Sequence, residues 1–515
     1  MTEAADRVFL NGEIHTLTEP DETYEAVAVR DGEIVRLGND YDVEFLAGVD
    51  TDVVDLDGRV LLPGFIDAHT HLTTVGRYLV NADLSAADSA EEAVELLEAQ
   101  ADAEEADWVL GYGYDESTWV EERYLTREDL DEVARDRPVV AFREDMHVAS
   151  VNSVALEEFA DAFASDAVPD GDVVTEDGEP TGVLLEAAID PVYEAVEPDR
   201  EETREIVEAA IADVNAKGVT GFHDMVRDSH APRVYRDLDG ADELTARVRI
   251  NYWSHHLDAL LETGLPTNAG SEFVETGAIK SYTDGSFGGR TAKLTEPYDD
   301  APGETGQWVV DPDELAEIVA RADDAGYQVT AHAIGDAAVD AVLDAYETEA
   351  DAGEARHRVE HVELASDEAI ERFGESGIVA SVQPNFLKWA DEGGLYESRI
   401  GDRTAETNRY PALLDAGANL AFGSDGMPMD PLLGVHWTVN APAESQQLGV
   451  TEALRAYTLG AAYAGFDEDR LGTVEPGKKA DFVVLEDSPW ERADAIKEID
   501  VAMTVVDGDV VHDAR

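Results

Sequence analysis

The feature that most constrains this chain is a regular alternation of short apolar segments and helical stretches through its middle. This alternation is typical of βα units arranged around a parallel sheet. We predict eight strands, at 60–67, 219–224, 247–252, 278–284, 327–334, 358–363, 378–384 and 419–425. Eight such units predict an α/β fold, a (β/α)8 TIM-like barrel, in which the carboxyl ends of the strands meet at one mouth.

The remaining segments divide around this barrel. Both ends of the chain are rich in short strands separated by turns, such as Asp31-Gly32 and Asp57-Gly58. The segment between the first two barrel strands is too long for one helical crossover and has its own strand signals, at 108–111 and 139–142. We therefore expect a small β-sandwich domain from 1–62 plus 468–515, the (β/α)8 barrel from 63–80 plus 200–467, and an inserted subdomain over the barrel mouth from 81–199.

The chain is strongly acidic. It has 115 Asp and Glu against 36 Lys and Arg, a formal net charge of −79, while its hydrophobic fraction of 44% is that of a globular protein. Because acidic residues recur in nearly every polar stretch, they indicate a surface adapted to concentrated salt, where self-repulsion is screened. An interaction surface for basic partners is the alternative. The same charge argues against nucleic acid as a partner.

Several classes of protein are disfavoured by what the sequence lacks. Without cysteine there are no disulfides and no thiolate metal ligands. Residues 1–10 show no secretory signal, and no apolar run approaches the ~20 residues of a membrane span. We therefore expect a cytoplasmic protein with no membrane partner.

Six metal-ligating side chains lie in, or directly after, five of the predicted strands. His69 and His71 follow the first strand two residues apart, so an extended backbone points both to one side. The others lie in the fourth, fifth, sixth and eighth strands and are Lys280, His332, His361 and Asp425. Imidazole and carboxylate suit zinc, iron, nickel or manganese. Taken jointly, the set predicts a metal centre rather than a collection of buried core histidines.

Lys280 is the most unusual member of this set. An ammonium group inside a barrel strand is costly unless it is paired or neutral. A desolvated lysine loses its proton readily, and the neutral amine can take up carbon dioxide as a carbamate that bridges two cations. A salt bridge to Asp284 or Asp224 is the alternative.

The order of these residues resembles that of the amidohydrolase superfamily. More narrowly, nearly the whole chain resembles amidohydrolase family 3, which includes N-substituted formamide deformylase-like proteins. The matching segments are LPGFIDAHTH at 62–71, DGS at 284–286, GRTA at 289–292, GSD at 423–425, MP at 427–428, LGTV at 471–474 and PGKKAD at 476–481. Many relatives carry Trp-Arg where this chain has Tyr410-Pro411, so the deformylase substrate is not carried over with the motifs.

The resemblance implies a role for each of the six residues. It implies two divalent ions, zinc being expected and iron, manganese or nickel the alternatives. Asp425 would also be the general base that acts with a metal-activated hydroxide. Superfamily barrels are often oligomers, so a homodimer is expected. One ion would be held by His69, His71 and Asp425, the other by His332 and His361, with the Lys280 carbamate between them.

Further residues are candidates for substrate contact. Arg290 could hold a carboxylate in two hydrogen bonds, or it could neutralise Asp284. Arg143 and His147 resemble a stretch of family 3 that faces the mouth; an ion pair between Arg143 and Asp145, with Asn152 as a helix cap, is the alternative. The full candidate set is His147, Arg143, Arg290, Asp284 and Gln383.

These features predict an enzyme that hydrolyses a non-peptide carbon–nitrogen bond in a small molecule, a linear amide or an N-acyl or N-formyl amine. A cyclic amide, an aminated ring or an ester is the alternative substrate for the same site. A non-catalytic structural relative is a remote alternative, because all six positions are intact. A metal-storage protein is disfavoured, because the histidines are dispersed through a fold rather than gathered in a tract.

Overall fold

An eight-stranded parallel sheet dominates the computed structural model, which describes residues 4–103, 106–144, 146–165, 168–169, 171–348 and 352–515. Each strand pairs in parallel with the next along the chain. The strands, numbered here β1 to β8, are Phe65–Thr70, Val219–Val226, Arg247–Trp253, Val274–Tyr282, Val329–Ala333, Arg358–His361, Val379–Val382 and Asn419–Phe422. The predicted (β/α)8 TIM-like barrel is therefore confirmed.

The first and last strands meet through the residues that follow β8. The amides of Ser424 and Asp425 donate to the carbonyl oxygen of His69 at 3.1 and 2.7 Å. Gly423 permits this approach, because a Cβ atom there would lie 2.4 Å from the His69 amide nitrogen.

Helices follow the barrel strands, as the alternating sequence pattern predicts. Arg200–Ala216 leads into β2. The helices that follow β2 to β8 are Ala231–Asp239, Leu257–Thr263, Pro312–Asp323, Asp336–Thr348, Asp367–Ser376, Tyr410–Asp415 and Pro431–Val439. Shorter helices outside the segment between β1 and β2 are Asp40–Glu44, Ala352–Ala355, Leu395–Ile400, Val450–Arg455 and Ala461–Ala464.

The first predicted strand, 60–67, is wrong as a single element. It forms two strands in two different sheets, Val60–Pro63 and β1, with Gly64 between them. A Cβ atom at Gly64 would lie 2.3 Å from the side chain of Thr220, so the chain passes here against β2 where no side chain fits. The turn from one sheet to the next depends on this tertiary contact, which hydrophobic periodicity does not record.

Two further sheets contain strands from both ends of the chain. In order across the sheet, the first consists of Glu33–Gly38, Ala26–Arg30, Ala5–Leu10 and Ala47–Asp55. The second consists of Asp509–Asp513, Val501–Val506, Phe482–Leu485, Val60–Pro63, Glu13–His15 and Thr23–Tyr24. One buried cluster joins them, including Phe9, Val27, Phe482 and Met503. This is the predicted small β-sandwich built from the two termini.

Contacts divide the chain into a unit of Met1–Leu72 plus Ile211–Arg515 and a second unit of Thr73–Ala210. The second unit has its own mixed sheet and its own buried clusters. Its strands are Ala82–Asp83, Val109–Tyr114, Val139–Arg143, Val148–Val151, Val173–Glu176 and Glu179–Leu185. Its helices are Ala90–Ala103, Arg127–Val133, Ser153–Glu158, Ala160–Phe163 and Asp190–Ala195, and the helices Leu72–Val80 and Arg200–Ala216 each include residues of both units. The exact domain boundaries, and a position of this unit over the barrel mouth, stay predictions.

No helix in the described part of the chain is long and apolar enough to cross a membrane.

Candidate metal centre

The six predicted ligands lie at the carboxyl ends of the barrel strands. His69 is the fifth residue of β1, and His71 follows that strand directly. Lys280 and His332 lie in the last part of β4 and β5, His361 ends β6, and Asp425 lies three residues beyond β8. This is the edge of the barrel at which enzymes of this fold carry their active sites.

Three of the six side chains converge closely. One ligand atom each of His69, His361 and Asp425 lie within 4.8 Å of one another. Asp425 Oδ1 is 3.4 Å from His69 Nε2 and 3.3 Å from His71 Nε2. The ring of His332 lies 4.3 Å from that of His361, between centroids. Imidazole nitrogens and a carboxylate thus surround one small volume at the mouth.

His332 stands somewhat apart from this group. Its Nε2 donates to the carbonyl oxygen of Gly285 at 3.0 Å and lies 3.5 Å from Asp284 Oδ1. Burial, with a contribution from the Lys280 charge, lowers the pKa of His332 to about 3. The imidazole is therefore neutral near pH 7, the form in which histidine binds metals.

Local backbone geometry fixes the two ends of the centre. His361 and Asp425 both have left-handed backbone conformations, with φ of 77° and 58°. Such conformations in non-glycine residues cost free energy and cluster at functional sites. Asp67 links β1 to the segment after β8, because its Oδ1 accepts from the amides of His69 and Ser424 at 3.0 and 3.1 Å.

Glu360 orients His69 from behind. Its Oε2 accepts a hydrogen bond from His69 Nδ1 at 2.6 Å, which leaves Nε2 of that ring facing Asp425. Its Oε1 accepts from Arg358 Nε at 2.9 Å and from the hydroxyl of Thr330. Burial alone would raise the pKa of Glu360, but Arg358 and His69 hold it well below its ordinary value. A carboxylate behind a ligating histidine is the usual means of fixing such a ring.

Arg358 is the counter-charge of Glu360 and is completely buried. Its guanidinium also donates to His223 Nδ1 at 2.8 Å, to Ser381 Oγ at 3.0 Å and to the Ala68 carbonyl. The buried pair is therefore fully hydrogen-bonded, which is the condition under which a buried ion pair is tolerated.

Lys280 is buried without a carboxylate partner. Its side chain is 1% exposed, and no ion pair within 4 Å reaches it among the described residues. Burial lowers the pKa of Lys280 to about 8, although Glu360 and Asp425 raise it. The alternative salt bridge is not formed: Asp224 instead accepts from Tyr235 and the Leu72 amide.

Asp284 also has other partners. Its two oxygens accept from the amides of Ile334, Gly335 and Lys293 at 3.0, 2.9 and 2.7 Å. Its side chain is fully buried. Asp284 thus ties the segments after β4 and β5 together.

The donor set fits a divalent metal. Nδ1 of His361 is buried and has no hydrogen-bond partner in the described part of the chain, and an unpaired buried polar atom costs free energy. A metal ion bound to His361 Nδ1 would give this nitrogen the partner that it lacks among the described residues. Imidazole nitrogens with one carboxylate suit zinc and its neighbours among the transition metals.

Asp425 is ionised in this setting. Burial alone would raise its pKa, but His69, His71 and Lys280 hold the pKa of Asp425 at about 2. A carboxylate ligand and proton acceptor must both be ionised, so this carboxylate can serve either purpose.

The candidates for substrate contact are dispersed. Arg290 pairs with Asp300, at 3.0 and 2.6 Å, rather than with Asp284. Gln383 Nε2 lies 3.4 Å from His69 Nδ1, and its buried Oε1 has no partner among the residues that the structure describes. Gln383 is therefore at the centre, whereas Arg290 already has a carboxylate partner.

The two candidates in the second unit also have carboxylate partners there. Arg143 pairs with Asp115 at 3.0 Å and Glu116 at 2.8 Å. Asp145, the partner suggested by the sequence, lies outside the described residues. His147 is largely exposed and is 3.1 Å from Glu186. Asn152 caps the helix Ser153–Glu158, as the alternative interpretation proposes. Substrate contact by Arg143 and His147 stays a prediction.

Three residues of the centre were not predicted from the sequence: Asp67, Arg358 and Glu360. Asp67 lies within the segment 62–71. Its side chain accepts from the amide of Ser424 only because the closed barrel brings the end of β8 next to β1. Arg358 and Glu360 alternate with Val359 and His361 in β6. The sequence did carry one indication of their role: two oppositely charged residues alternate with apolar Val359 and the predicted ligand His361 in a strand of the barrel.

A parallel barrel with these groups at its carboxyl edge defines a class of metal-dependent hydrolases. The family model described as the amidohydrolase family matches residues 52–512, so the chain belongs to the amidohydrolase family. It is accordingly a hydrolase of small-molecule substrates that acts on carbon–nitrogen bonds other than peptide bonds, and the family implies a divalent metal.

Individual relatives span nearly the whole chain. YtcJ of Bacillus subtilis, which is named as an amidohydrolase, is 33% identical over 98% of this chain and 99% of its own. The N-substituted formamide deformylase of Arthrobacter pascens is 27% identical over 99% of this chain and 98% of its own. An uncharacterized metal-dependent hydrolase from Pyrococcus furiosus has a similar structure, with a TM-score of 0.80, 29% identity and coverage of 94% of this chain and 99% of that one.

Proposed function

We propose that this enzyme hydrolyses a linear amide or an N-acyl or N-formyl amine at a centre of two divalent ions, with zinc as the expected metal. The observation that carries the proposal is the convergence of His69, His361 and Asp425 ligand atoms within 4.8 Å at the barrel mouth. The name of the Arthrobacter pascens relative, an N-substituted formamide deformylase, supports a linear substrate.

The proposed ligands divide between two ions. His69, His71 and Asp425 would hold the first. His332 and His361 would hold the second, and Lys280 would bridge them as its carbamate. When bound, such ions lower the pKa of a water molecule and polarise the scissile carbonyl.

The Lys280 carbamate would form from the neutral amine. The nitrogen lone pair attacks carbon dioxide, a nitrogen–carbon bond forms, and one proton is released to solvent. Support comes from the burial of Lys280 and from its lack of a carboxylate partner among the described residues. The product is an anion that the two proposed cations would neutralise, so no unpaired ammonium would stay buried.

Asp425 is the proposed general base. Its Oδ1 lies between His69 and His71, so the carboxylate is at the proposed first ion. It would accept a proton from the attacking water and then transfer it to the leaving nitrogen, which departs as a neutral amine. Glu360 would act only by positioning, because it touches His69 and not the reacting atoms.

Gln383 is the proposed substrate contact at the centre. Its buried Oε1 has no partner among the described residues, and its amide lies against His69. An N–H of the scissile amide would satisfy this oxygen. We also expect a homodimer, which light scattering in high salt tests directly.

A substrate screen on metal-loaded enzyme tests the proposal. The panel contains N-substituted formamides, N-acyl amino acids, hydantoins, aminated heterocycles and aryl esters, with Asp425→Asn as the matched control. We expect turnover of formamides or N-acyl amines that is lost in the control. Turnover confined to hydantoins, aminated rings or esters would assign the same centre to the alternative substrate. A loaded enzyme inactive on every arm would overturn the proposal for linear amides.

A further inference from the structure

A second group of metal-ligating side chains lies in the loops that follow β2 and β3. We propose that Asp228, His255 and His256 bind one exchangeable transition-metal ion, separate from the proposed centre. Asp228 lies two residues beyond β2, and the two histidines lie in the short 3-10 turn Ser254–His256 directly after β3. None of the three is among the six predicted ligands, and the inference does not depend on the proposed function.

The geometry of the group carries the proposal. One ligand atom from each residue lies within 4.8 Å of the others. Nε2 of His255 is 3.2 Å, and Nε2 of His256 3.7 Å, from the same oxygen, Oδ1 of Asp228. The two imidazole rings are 4.0 Å apart between centroids. Two ring nitrogens from adjacent residues therefore converge on one carboxylate oxygen.

The donor types indicate the class of ion. Nε2 of His256 also donates a hydrogen bond to the carbonyl oxygen of Arg227 at 2.5 Å, so a metal at this nitrogen would displace that proton. Two imidazole nitrogens with a carboxylate suit zinc, nickel or copper, whereas calcium and magnesium prefer all-oxygen sites. The chemical class of ligand is therefore a borderline divalent transition metal.

An ion pair alone explains this convergence poorly. Asp228 is 67% exposed, and His255 and His256 are 46% and 35% exposed. Pairs with this exposure contribute little to the stability of a protein. Two adjacent imidazoles held on one carboxylate gain little from that pairing, whereas a shared cation would satisfy all three groups. The exposure also makes a bound ion exchangeable.

A row of stacked side chains leads from this group toward the proposed centre. The Arg227 guanidinium lies 5.2 Å above the ring of Trp253. Trp253 stacks on Tyr282 at 4.8 Å, and Tyr282 lies 4.6 Å from His332. The outer site is therefore on the same edge of the barrel as the proposed centre, but its ligands are different.

Copper binding to the holoenzyme tests the proposal. Protein preloaded with zinc is titrated with Cu2+ in excess Mg2+, which occupies oxygen-only sites on the acidic surface, and is followed by electron paramagnetic resonance. We expect one Cu2+ with two nitrogen ligands. His255→Gln or His256→Gln should leave one nitrogen ligand and weaken binding at least about tenfold, since even residues behind a ligand change affinity by 10- to 100-fold.

His147→Gln is the matched control, because His147 is likewise an exposed histidine beside a carboxylate, that of Glu186, and is not part of the group. It should leave the two-nitrogen signal unchanged. All substituted side chains are partly exposed, and thermal unfolding of each variant verifies that it folds. A wild-type spectrum without nitrogen ligands, or a two-nitrogen spectrum that survives both substitutions at 255 and 256, would overturn the assignment.

Discussion

Replacing Glu360 by glutamine separates the structural and the metal-positioning consequences of one buried carboxylate. Glu360 accepts from His69 on one oxygen and from Arg358 and Thr330 on the other. A glutamine of the same shape presents only one carbonyl oxygen, and its NH2 group must face donors on the other side. It also leaves the fully buried Arg358 without a counter-charge.

The expected loss has two components. Breaking a buried pair by neutralising one partner costs about 3–5 kcal/mol of unfolding free energy, because the remaining charge stays buried. Loss of the carboxylate behind His69 lowers metal affinity by about 10- to 100-fold. With metal present, that loss removes a further ~1.4–2.8 kcal/mol of stabilisation by mass action.

Denaturant unfolding in high salt, with and without a chelator, measures both components. The matched control is Glu363→Gln, a buried glutamate three residues away. Glu363 accepts a hydrogen bond from Tyr396 and has no cation within 4 Å among the described residues. Its replacement should cost less than about 1.5 kcal/mol, the size of an ordinary hydrogen bond. If Glu360→Gln costs no more than Glu363→Gln in chelator, the assigned role of Glu360 as counter-charge is wrong.

Three other predictions follow from the same structure. Asp425→Asn should retain metal in elemental analysis while losing at least 100-fold in kcat, the lower range for a general base; an active variant would remove Asp425 from that role. Lys280→Ala should lose bound metal and activity, and a short carboxylic acid added to this variant should restore both. Lys497→Ala, at an exposed position, should match wild type. Absence of a carbamate signal in 13C NMR of wild type labelled with bicarbonate would contradict the proposed bridge. Dilution from multimolar salt to ~10 mM should unfold the chain, as measured by circular dichroism. At ~10 mM the Debye length is ~30 Å, so the salt no longer screens the repulsion within a net charge of −79. A chain that keeps its full secondary structure would refute salt adaptation.

The barrel was predictable because its evidence is local and repeated. Each βα unit carries its own apolar strand and helix, and the ligand types fall where strands end. The location of His361 and Asp425 at the barrel mouth can be predicted from the order of these units alone, since parallel strands bring their carboxyl ends together.

Features set by tertiary contacts were not predictable in the same way. The break at Gly64 arises where the chain passes against Thr220, and apolar residues continue across it without a change in pattern. Arg290 carries no sign in its sequence neighbourhood that Asp300, ten residues later, is its partner. Arg358 and Glu360 look like solvent-exposed charges until the strand is placed inside a closed barrel.

The count of bound metal per chain tests the central claim most directly. Protein purified in multimolar salt without chelator is analysed for its elements, and about two divalent ions per chain are expected. One ion would contradict the bridged pair. A chain with no metal, which also takes up no zinc, manganese or iron on reloading, would contradict the metal centre itself.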